Sequence, residues 1–562
     1  MTATPAQHEA IWTNAEKVAV ASGPGSGKTY VLVERAKRLI AQGRVVILIT
    51  FTNRGAQVMR SRLGDDYAAV KYCGPLHKFC YRMLREFGAF LGYQADSISI
   101  LPEREKTRLL KQICGDLGFE VTQKELLAQN TDAARQIWRE YDDTLRRNNM
   151  VDFDKILANA ARLLDQPMVR ESYRCDDLLI DEAQDSAAID WLIYMKLPAA
   201  RRFIVADVDQ SIFVFRGGFS GAFVELTKLP DWQTIALTEN FRSWRTICAA
   251  ASKLIAYNEN RVPKDTVSVF CDRDGMITVR SYSDVWMELG QLSHLVRSHL
   301  ERDESAAVLC RSNYEANRVI QYFRSINLPT NQEQAIYKPM DWDLAVTCIG
   351  IACAPNNSLL VERFLRFKGV PELDITKFRL RSLAEKRPLM ELAAEVLTLD
   401  NWRNFSNLSA WLQKLGVGEA TANFIIQRMD ELEPGASMED LLHDLNALRD
   451  NHASFPEVEP EGVEESKTHV YIGTIHSAKG HEWDVVFLQA FEEGIIPHHG
   501  KHEPTQAEME EERRLAYVAV TRARQAIYIT TADNRTNQWG PPVSRAPSRF
   551  IAEMGLTEEN NE

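Results

Sequence analysis

Short apolar runs rich in β-branched residues recur along the chain, and stretches with helical periodicity separate them. The runs form two groups: 18–21, 45–49, 178–180 and 203–206, and then 307–309, 470–472, 485–488 and 526–529. Apolar runs of this length that alternate with helices are typical of parallel sheets covered by helices on both faces. The pattern therefore predicts an α/β fold with two parallel sheets.

Two long intervals interrupt this alternation with helical periodicity rich in Arg, Lys and Leu. The first lies between Gly74 and Cys175, and the second runs from about Asn357 to His452. The acidic, proline-containing stretch 455–466 is predicted to be an exposed connector back to the second sheet. The simplest organisation is two α/β domains, each with a mainly helical insertion.

Composition narrows the classes of protein. The chain has 562 residues, 66 Lys and Arg against 78 Asp and Glu, and 45% hydrophobic residues. These values exclude a small peptide, a mainly disordered chain and a histone-like protein that coats nucleic acid by bulk charge, but a local basic groove remains compatible with them. Without an apolar run of about 20 residues or a secretory signal, the sequence predicts a soluble, cytoplasmic protein with no membrane partner. Its nine cysteines are expected to be reduced and buried.

A glycine-rich segment between the first apolar run and a helical pattern predicts a phosphate-binding loop. Its sequence is Ser-Gly-Pro-Gly-Ser-Gly-Lys-Thr at 22–29, with Ser22 where the strict GxxxxGK[ST] pattern has glycine. Backbone N–H groups of such a loop turn toward phosphate oxygens, and the helix N-terminus adds its dipole. We expect Lys28 to reach the outer phosphates of a nucleotide and the Thr29 hydroxyl to ligate Mg²⁺.

Two adjacent carboxylates follow the apolar run 178–180. Asp181 is predicted to hold Mg²⁺, usually through water, and Glu182 to polarise the attacking water. This division of tasks suits hydrolysis better than transfer to a second substrate. Alone, the pair would more often be a solvated strand end, and the phosphate loop reverses that interpretation.

At this point the sequence resembles the UvrD/Rep family of superfamily 1A DNA helicases. Asp-Glu-Ala-Gln-Asp at 181–185 resembles the family's DExxD motif. The segments 206–218, 237–243, 473–483 and 511–523 resemble its GDxxQSIYxWRGA, LxxNYRS, TxHxxKGLEF and EERRLxYVxxTRA motifs. These blocks occur in family order, and the resemblance extends from residue 7 to about residue 530.

The resemblance implies an ATP site with defined residues. Gln7 matches the glutamine that reads the adenine edge, and Tyr30 and Phe241 would lie against the adenine faces. Gln210 would sense the γ-phosphate, while Arg242 and Arg522 would reach it from the second motor domain. Glu482 matches a ribose-contacting glutamate. The phosphate loop adds the remaining nucleotide contacts: Ser22, Gly23, Gly25, Ser26, Gly27, Lys28 and Thr29.

The resemblance also implies contacts to single-stranded DNA. Phe51, Thr52 and Asn53 match a segment that contacts phosphates and stacks on a base, and His77 matches another strand contact. Phe215 occupies the place of a base-stacking tryptophan, and Arg216 follows it. From the residues alone, Phe51 and Phe215 would instead be core aromatics beside strands, and the residues do not decide between DNA and RNA.

In family terms, motor domain 1A would comprise 1–76 and 175–243, with insertion 1B at 77–174. Motor domain 2A would comprise 244–345 and 468–562, with a shortened insertion 2B at 346–467. Within 2B, Lys414–Gly418 is either a hairpin that follows a duplex or a helix-capping turn. The histidine-containing stretch 497–502 has no accompanying cysteines, so no zinc site is predicted there.

These features predict an ATP-dependent helicase that moves 3′→5′ on single-stranded DNA and separates tailed duplex DNA in repair, recombination or defence. Two alternatives remain. The chain could be a helicase-type subunit that needs a partner such as a nuclease or a repair or defence protein. It could also be a slow, nucleotide-gated DNA-binding switch, although a switch could dispense with Glu182 and both arginines.

Overall fold

The computed structural model describes most of the chain. The described residues are 3–94, 98–101, 103–119, 126, 131–213, 218, 220–330, 339–354, 357–397, 407–430, 437–438, 441–442, 445, 468–498, 504–536 and 542–557. The chain forms two compact units. Unit 1 comprises Met1–Leu76, Glu171–Gln334 and Glu459–Glu562, and unit 2 comprises His77–Arg170 and Ala335–Val458.

The strands are numbered in chain order. They are β1 Lys17–Ser22, β2 Val46–Thr50, β3 Tyr72–Pro75, β4 Ser99–Ile100, β5 Met150–Val151, β6 Cys175–Ile180, β7 Ala199–Ala206, β8 Gln233–Leu237, β9 Glu239–Asn240, β10 Val267–Ser268, β11 Met276–Asp284, β12 Ala306–Cys310, β13 Tyr471–Thr474, β14 Trp483–Leu488, β15 Ala523–Thr536 and β16 Pro542–Ser544.

Most α-helices of the described residues lie between these strands, while one precedes β1 and one follows β16. They are Pro5–Trp12, Lys28–Ala41, Asn53–Leu63, Leu76–Phe87, Glu103–Leu117, Asp132–Arg147, Phe153–Leu163, Pro167–Ser172, Ala188–Lys196, Ser220–Thr227, Arg245–Ile255, Val285–Leu300, Asn313–Ser325, Pro339–Cys353, Ser358–Phe367, Glu372–Glu385, Leu389–Val396, Leu408–Lys414, Glu419–Asp430, Gln506–Val520 and Arg549–Glu553.

Unit 1 contains two parallel sheets, which confirms the predicted α/β fold. The first has the order β3-β2-β6-β7-β1-β8, and the second has the order β11-β15-β14-β12-β13, with β16 antiparallel on β15. Each of the eight predicted runs overlaps a strand, although Val45 precedes β2 and Val470 precedes β13. In these two sheets the pattern missed β3, β8, β11 and β16. Strand β8, for example, alternates buried and less buried residues and has no continuous apolar run.

Helices cover both faces of the second sheet, as successive strand residues show. Leu309, Val486 and Ile527 belong to one buried cluster, whereas their neighbours Val308, Phe487 and Tyr528 belong to another. Side chains alternate between the two faces of a strand. The residues of β12, β14 and β15 are therefore divided between two separate cores, which explains why these strands read as continuous apolar runs.

Unit 2 joins the two predicted insertions around one core. Tyr141 and Leu145 from the first insertion belong to the same buried cluster as Phe364 and Trp411 from the second, which lie more than 200 residues later in the sequence. Polar contacts join the same two regions: Asn357 Nδ2 donates a hydrogen bond to Ser99 Oγ at 3.1 Å. The two insertions therefore fold as one body, whereas the limits of the four predicted domains stay a prediction.

The structure also bears on several further predictions from the sequence. The segment at Lys414–Gly418 is a capping turn: Gly416 has a φ of 88°, and the Val417 N–H donates to the Leu412 carbonyl at 3.0 Å.

Cys271 is exposed, so the prediction of buried thiols is wrong there, because Cys271 lies in a polar turn. The connector 455–466 and the histidines at 499 and 502 lie outside the described residues. In the described part of the chain, no helix has the length and apolarity to cross a membrane.

Candidate active site

The phosphate loop leaves the carboxyl end of β1 and enters the helix Lys28–Ala41. Gly25 and Gly27 have φ values of 63° and 79°, which L-residues with a side chain rarely adopt. A Cβ atom at Gly27 would also lie 2.8 Å from Gln7 Nε2, and one at Gly25 would lie 2.7 Å from Arg242 Cβ. The two glycines are thus required both by the backbone and by the close approach of predicted site residues.

Gln7 connects the first helix to the phosphate loop. Its side chain caps the helix Pro5–Trp12 by accepting from the Thr4 N–H at 3.1 Å, and its Nε2 donates to the Ser26 carbonyl at 2.9 Å. Tyr30 is 36% exposed, and the Phe241 N–H donates to the Gly25 carbonyl at 2.9 Å. The predicted adenine-binding residues therefore all lie around this loop.

Asp181 and Glu182 follow β6 beside the phosphate loop. Lys28 Nζ lies 3.0 Å from Glu182 Oε1, and Asp181 accepts a hydrogen bond from the Glu182 N–H at 3.0 Å. Burial and the neighbouring charge of Glu182 raise the pKa of Asp181, whereas Lys28 and Lys479 outweigh burial and lower the pKa of Glu182. Burial lowers the pKa of Lys28, but the three carboxylates of Glu182, Asp207 and Asp181 together raise it. At neutral pH, Lys28 and Glu182 therefore form a charged pair.

Glu182 has a backbone φ of 52° and ψ of 37°, which is a left-handed conformation. Such a conformation costs a non-glycine residue about 1–3 kcal/mol and persists where the surroundings enforce it, often at functional sites. Gln184 helps to hold the turn, because its Nε2 donates to Glu182 and its Oε1 accepts from the Asp207 N–H at 3.0 Å. The strain supports a functional role for Glu182, and Gln184 is a supporting residue that the sequence analysis missed.

A hydrogen bond between Gln210 and Arg522 joins the two sheets. Gln210 follows β7 of the first sheet, and its Oε1 accepts from Arg522 Nη2 at 2.9 Å. Its Nε2 donates to Asp207 Oδ2 at 2.7 Å, and its backbone carbonyl accepts from Lys479 Nζ at 2.9 Å. Two of the three predicted γ-phosphate residues, Gln210 and Arg522, are therefore in direct contact.

Arg522 is a buried guanidinium without a carboxylate partner among the described residues. Only 1% of it is exposed, and it donates to the carbonyls of Val518 at 2.9 Å and His481 at 3.2 Å. Burial and the nearby charge of Arg242 lower its pKa to about 9. A buried charge solvated only by neutral oxygens is costly, and an anion beside it would compensate that cost.

Arg242 and Glu482 form an ion pair in this structure. Arg242 Nε bonds Glu482, and its Nη1 donates to the Thr521 carbonyl at 3.1 Å. Arg524 Nη2 also lies 2.8 Å from Glu482. Glu482 therefore contacts two arginines, Arg242 and Arg524. Its contact with the ribose of ATP stays a prediction.

Aromatic side chains from the two sheets lie next to one another beside this site. Phe51, directly after β2, stacks on Phe213 with ring centres 5.6 Å apart, and Phe213 lies 6.3 Å from the His476 ring. Lys479 Nζ lies 5.1 Å from the Phe213 ring centre and also bonds Asp185. Phe51 and Phe213 are partly exposed, so the interpretation of Phe51 as a core aromatic does not hold.

The other predicted DNA contacts have different positions. Thr52 is exposed and caps the helix that begins at Asn53 by accepting from the Gly55 N–H at 3.0 Å. His77 lies in unit 2, where its ring meets the edge of Phe153 at 6.0 Å. Burial lowers the pKa of His77 to about 4, so at neutral pH it would meet a strand as a neutral imidazole. Phe215 and Arg216 lie outside the described residues.

Several residues of this site were not predicted: Gln184, Asp207, Phe213, His476, Lys479 and Arg524. All six lie inside or next to the motif segments quoted above, so the sequence indicated the part of the chain in which they lie. It did not indicate which of these residues contact one another, because partners such as Lys479 and Asp185 are separated by 294 residues.

Comparisons with known proteins agree with this geometry. The UvrD/REP helicase N-terminal domain model matches residues 3–133 and 116–230, and the UvrD-like helicase C-terminal domain model matches 235–394 and 419–534. The ATP-dependent DNA helicase PcrA of Staphylococcus aureus strain MRSA252 is 26% identical over 98% of this chain and 85% of its own length. PcrA of Staphylococcus epidermidis strain ATCC 35984 is 25% identical over 98% of this chain and 86% of its own length. The two family models together span most of the chain, which therefore belongs to the UvrD/Rep family of ATP-dependent DNA helicases.

Proposed function

We propose that this protein hydrolyses ATP between its two parallel sheets and uses the cycle to move 3′→5′ along single-stranded DNA and separate a duplex. The Gln210–Arg522 hydrogen bond carries the proposal, because it joins the two sheets beside the phosphate loop. A phosphate bound there would contact residues of both sheets at once. Binding would then draw the sheets together, and hydrolysis would release them.

Lys28 and Glu182 would separate when ATP binds. Their 3.0 Å ion pair satisfies both charges in this structure. The β- and γ-phosphates of ATP offer Lys28 a stronger negative partner, and this exchange would release Glu182 to orient and deprotonate the attacking water. In this structure Lys28 and Lys479 outweigh burial and lower the pKa of Glu182. Loss of the Lys28 contact would raise that pKa and make the carboxylate a stronger base.

Thr29 and Asp181 would hold Mg²⁺. Hydroxyl and carboxylate oxygens are the ligands that this ion prefers. Asp181 is buried, forms no ion pair within the described part of the chain, and has its pKa raised to about 7 by burial and by Glu182. A buried carboxylate in this state fits a nearby cation, which would supply charge neutralisation for the β- and γ-phosphates.

Lys479 would couple the nucleotide site to the DNA strand. It bonds the Gln210 carbonyl and Asp185 beside the nucleotide site, and it lies over the Phe213 ring at 5.1 Å. A shift of Gln210 on ATP binding would therefore move Lys479 and the aromatic pair Phe51–Phe213. Stacking on aromatic rings tolerates every base, as stepping along a strand requires.

Strand separation by the purified protein tests this function. Matched duplexes with a 3′ tail, a 5′ tail or no tail would be incubated with ATP, and ATP consumption would be recorded in the same sample. We expect separation only from the 3′ tail. Separation from the 5′ tail would contradict the polarity. ATP consumption stimulated by a tail but without separation would favour the partner-dependent subunit, and no stimulation by any strand would favour the switch.

Phe213→Ala should weaken binding to single-stranded DNA. Stacking of one base on an aromatic ring contributes about 1–3 kcal/mol, so the dissociation constant should rise by about 5- to 150-fold. The salt dependence of binding should stay as in the wild type, because no phosphate contact is removed. Fluorescence anisotropy with a labelled oligothymidine at several salt concentrations measures both quantities.

Trp286→Ala is the matched control, since Trp286 is an exposed aromatic elsewhere in unit 1. It should bind the strand as the wild type does. Unchanged affinity in Phe213→Ala would mean that the Phe51–Phe213 pair contributes only to packing.

A further inference from the structure

The segment Asn258–Lys264, here called the strap, links the helix Arg245–Ile255 to β10. It has no regular secondary structure, yet it holds several buried polar contacts. Those contacts fall into two sets, one on the loop that carries Gln210 and one on the helix that precedes Arg522. The strap therefore contacts both the loop that carries Gln210 and the helix that precedes Arg522. These are the two residues whose hydrogen bond joins the two sheets.

The first set of contacts is a buried cluster of four charges. Lys264 Nζ lies 3.1 Å from Asp207 Oδ1 and 2.7 Å from Asp209 Oδ2, and Arg261 bonds Asp209 through two nitrogens at 3.1 and 2.9 Å. The Lys264 side chain is 1% exposed, and those of both aspartates are 0% exposed. Asp207 also accepts the 2.7 Å hydrogen bond from Gln210 Nε2. Lys264 and Gln210 thus share one carboxylate.

The second set fixes the strap on the helix Gln506–Val520. Asn258 Nδ2 donates to the Glu510 carbonyl at 3.0 Å, and the Glu259 N–H donates to Glu510 Oε1 at 2.8 Å. In return, Arg513 donates to Asn258 Oδ1 at 2.7 Å, and Arg514 donates to the Asn260 carbonyl at 2.9 Å. Arg522 is the second residue after the end of this helix. The position of the helix therefore determines the position of the Arg522 guanidinium.

A buried ion cluster is poor evidence for stability, because desolvation of the charges offsets much of their attraction. Its geometry, however, is demanding: each carboxylate must lie between its two donors. The cluster is thus better suited to fixing a position than to stabilising the fold. Two positive and two negative charges balance within it, so it adds no net charge beside the nucleotide site.

We infer that the strap is a positioning element that sets the distance between Gln210 and Arg522, and that Lys264 is a positioning residue that acts on Gln210 through Asp207. This inference rests on the proposed roles of Gln210 and Arg522 in ATP hydrolysis. Lys264 is not one of the residues proposed to contact the nucleotide. Its loss would leave Asp207 free to turn toward other donors, and Gln210 would lose the fixed acceptor that orients its amide.

Lys264→Met tests the inference by steady-state ATP hydrolysis in the presence of single-stranded DNA. Displacement of a catalytic group by about 1 Å can lower a rate about 100-fold, so we expect kcat to fall by up to about 100-fold. The KM for ATP should stay close to the wild-type value, because Lys28, Gln7 and the phosphate loop are untouched. Lys228→Met is the matched control: it removes an exposed ion pair with Glu225 in the same unit and should leave both constants unchanged.

A second variant distinguishes a loss of positioning from a folding defect. Lys264→Met combined with Asp209→Asn removes one charge of each sign, so the cluster stays balanced with Asp207 and Arg261. We expect this pair to recover the thermal midpoint but not kcat, since the lysine contact with Asp207 is still missing. Recovery of both together would overturn the inference and assign the strap to stability alone.

A double-mutant cycle with Gln210→Ala separates the two levels of the argument. If Lys264 acts through Gln210, Lys264→Met will lower kcat no further in the Gln210→Ala background. Additive losses would overturn the positioning role. A wild-type kcat in Gln210→Ala alone would instead contradict the proposed function of Gln210, and a low kcat in Gln210→Ala with a normal kcat in Lys264→Met would contradict only the inference about the strap.

Discussion

Arg522→Met is expected to lower the rate of DNA-stimulated ATP hydrolysis by about 10³- to 10⁵-fold, the range for loss of an arginine that stabilises a phosphoryl-transfer transition state. That range corresponds to about 4–7 kcal/mol of transition-state stabilisation. Arg522 is suited to the task because its buried guanidinium is solvated by two carbonyls and the Gln210 amide rather than by a carboxylate. Charge that develops on the γ-phosphate would find this cation already in position and little screened by water.

Methionine keeps most of the volume of the arginine stem, so the variant should fold. Single-turnover measurements with saturating ATP would report the chemical step, and binding of a fluorescent ATP analogue would report affinity. Arg174→Met, at an exposed arginine that pairs with Glu171, is the control and should behave as the wild type. A loss confined to ATP affinity, with a normal rate at saturation, would make Arg522 a ground-state binding residue and would remove the transition-state role.

The parts of this protein that could be predicted are those encoded over short stretches of sequence. Each predicted strand is a continuous apolar run, and the phosphate loop is a glycine-rich segment between one such run and a helix. The phosphate loop is predictable because its backbone geometry is local: the left-handed φ values of Gly25 and Gly27 favour glycine whatever the rest of the chain does. The other active-site motifs can also be identified from short segments, because each is a few residues long.

The pairings within the site could not be predicted, because they join distant residues. From the sequence, Lys264 would be interpreted as an ordinary surface lysine. Its side chain is instead buried against Asp207 and Asp209, which precede it by more than 50 residues. Nothing in a segment of mixed polar residues indicates which of its charges will be desolvated. Only the crossing of the chain from the first sheet to the second brings these groups together.

The shared core of unit 2 shows the same limit for hydrophobic residues. The periodicity of the helix Asp132–Arg147 predicts a buried face, and Tyr141 and Leu145 do lie on it. Periodicity does not say what covers that face. Here it belongs to one cluster with Phe364 and Trp411, so the two insertions, which the sequence places in different motor domains, depend on each other for burial.

Backbone strain at Glu182 is the third feature that composition could not indicate. The residue type has no preference for the left-handed region, and the motif alone does not reveal the conformation. In the structure, the turn is held by Lys28 on one carboxylate oxygen and Gln184 on the other. The strain and the two partners together aim the carboxylate at the phosphate loop, which is why Glu182 is the strongest candidate for the base.

Glu182→Gln is therefore expected to lower ATP hydrolysis by about 10²- to 10⁴-fold, the usual contribution of a general base, while ATP binding remains. The amide keeps the size of the carboxylate and can still accept from Lys28, but it cannot take a proton from water. Because the variant also removes a negative charge beside the phosphates, ATP should bind at least as tightly as in the wild type. Phosphate release and binding of a fluorescent ATP analogue, measured on the same sample, give the two quantities.

Glu225→Gln makes the same chemical change at an exposed ion pair with Lys228 and should leave both quantities unchanged. The Glu182 variant should also hold single-stranded DNA in the presence of ATP without stepping along it, because the cycle would stop before hydrolysis. Normal hydrolysis in Glu182→Gln would move the base elsewhere, and the strained turn would then serve only to shape the loop. Loss of ATP binding together with hydrolysis would show instead that Glu182 matters by holding Lys28, so these two outcomes separate a catalytic role from a structural one.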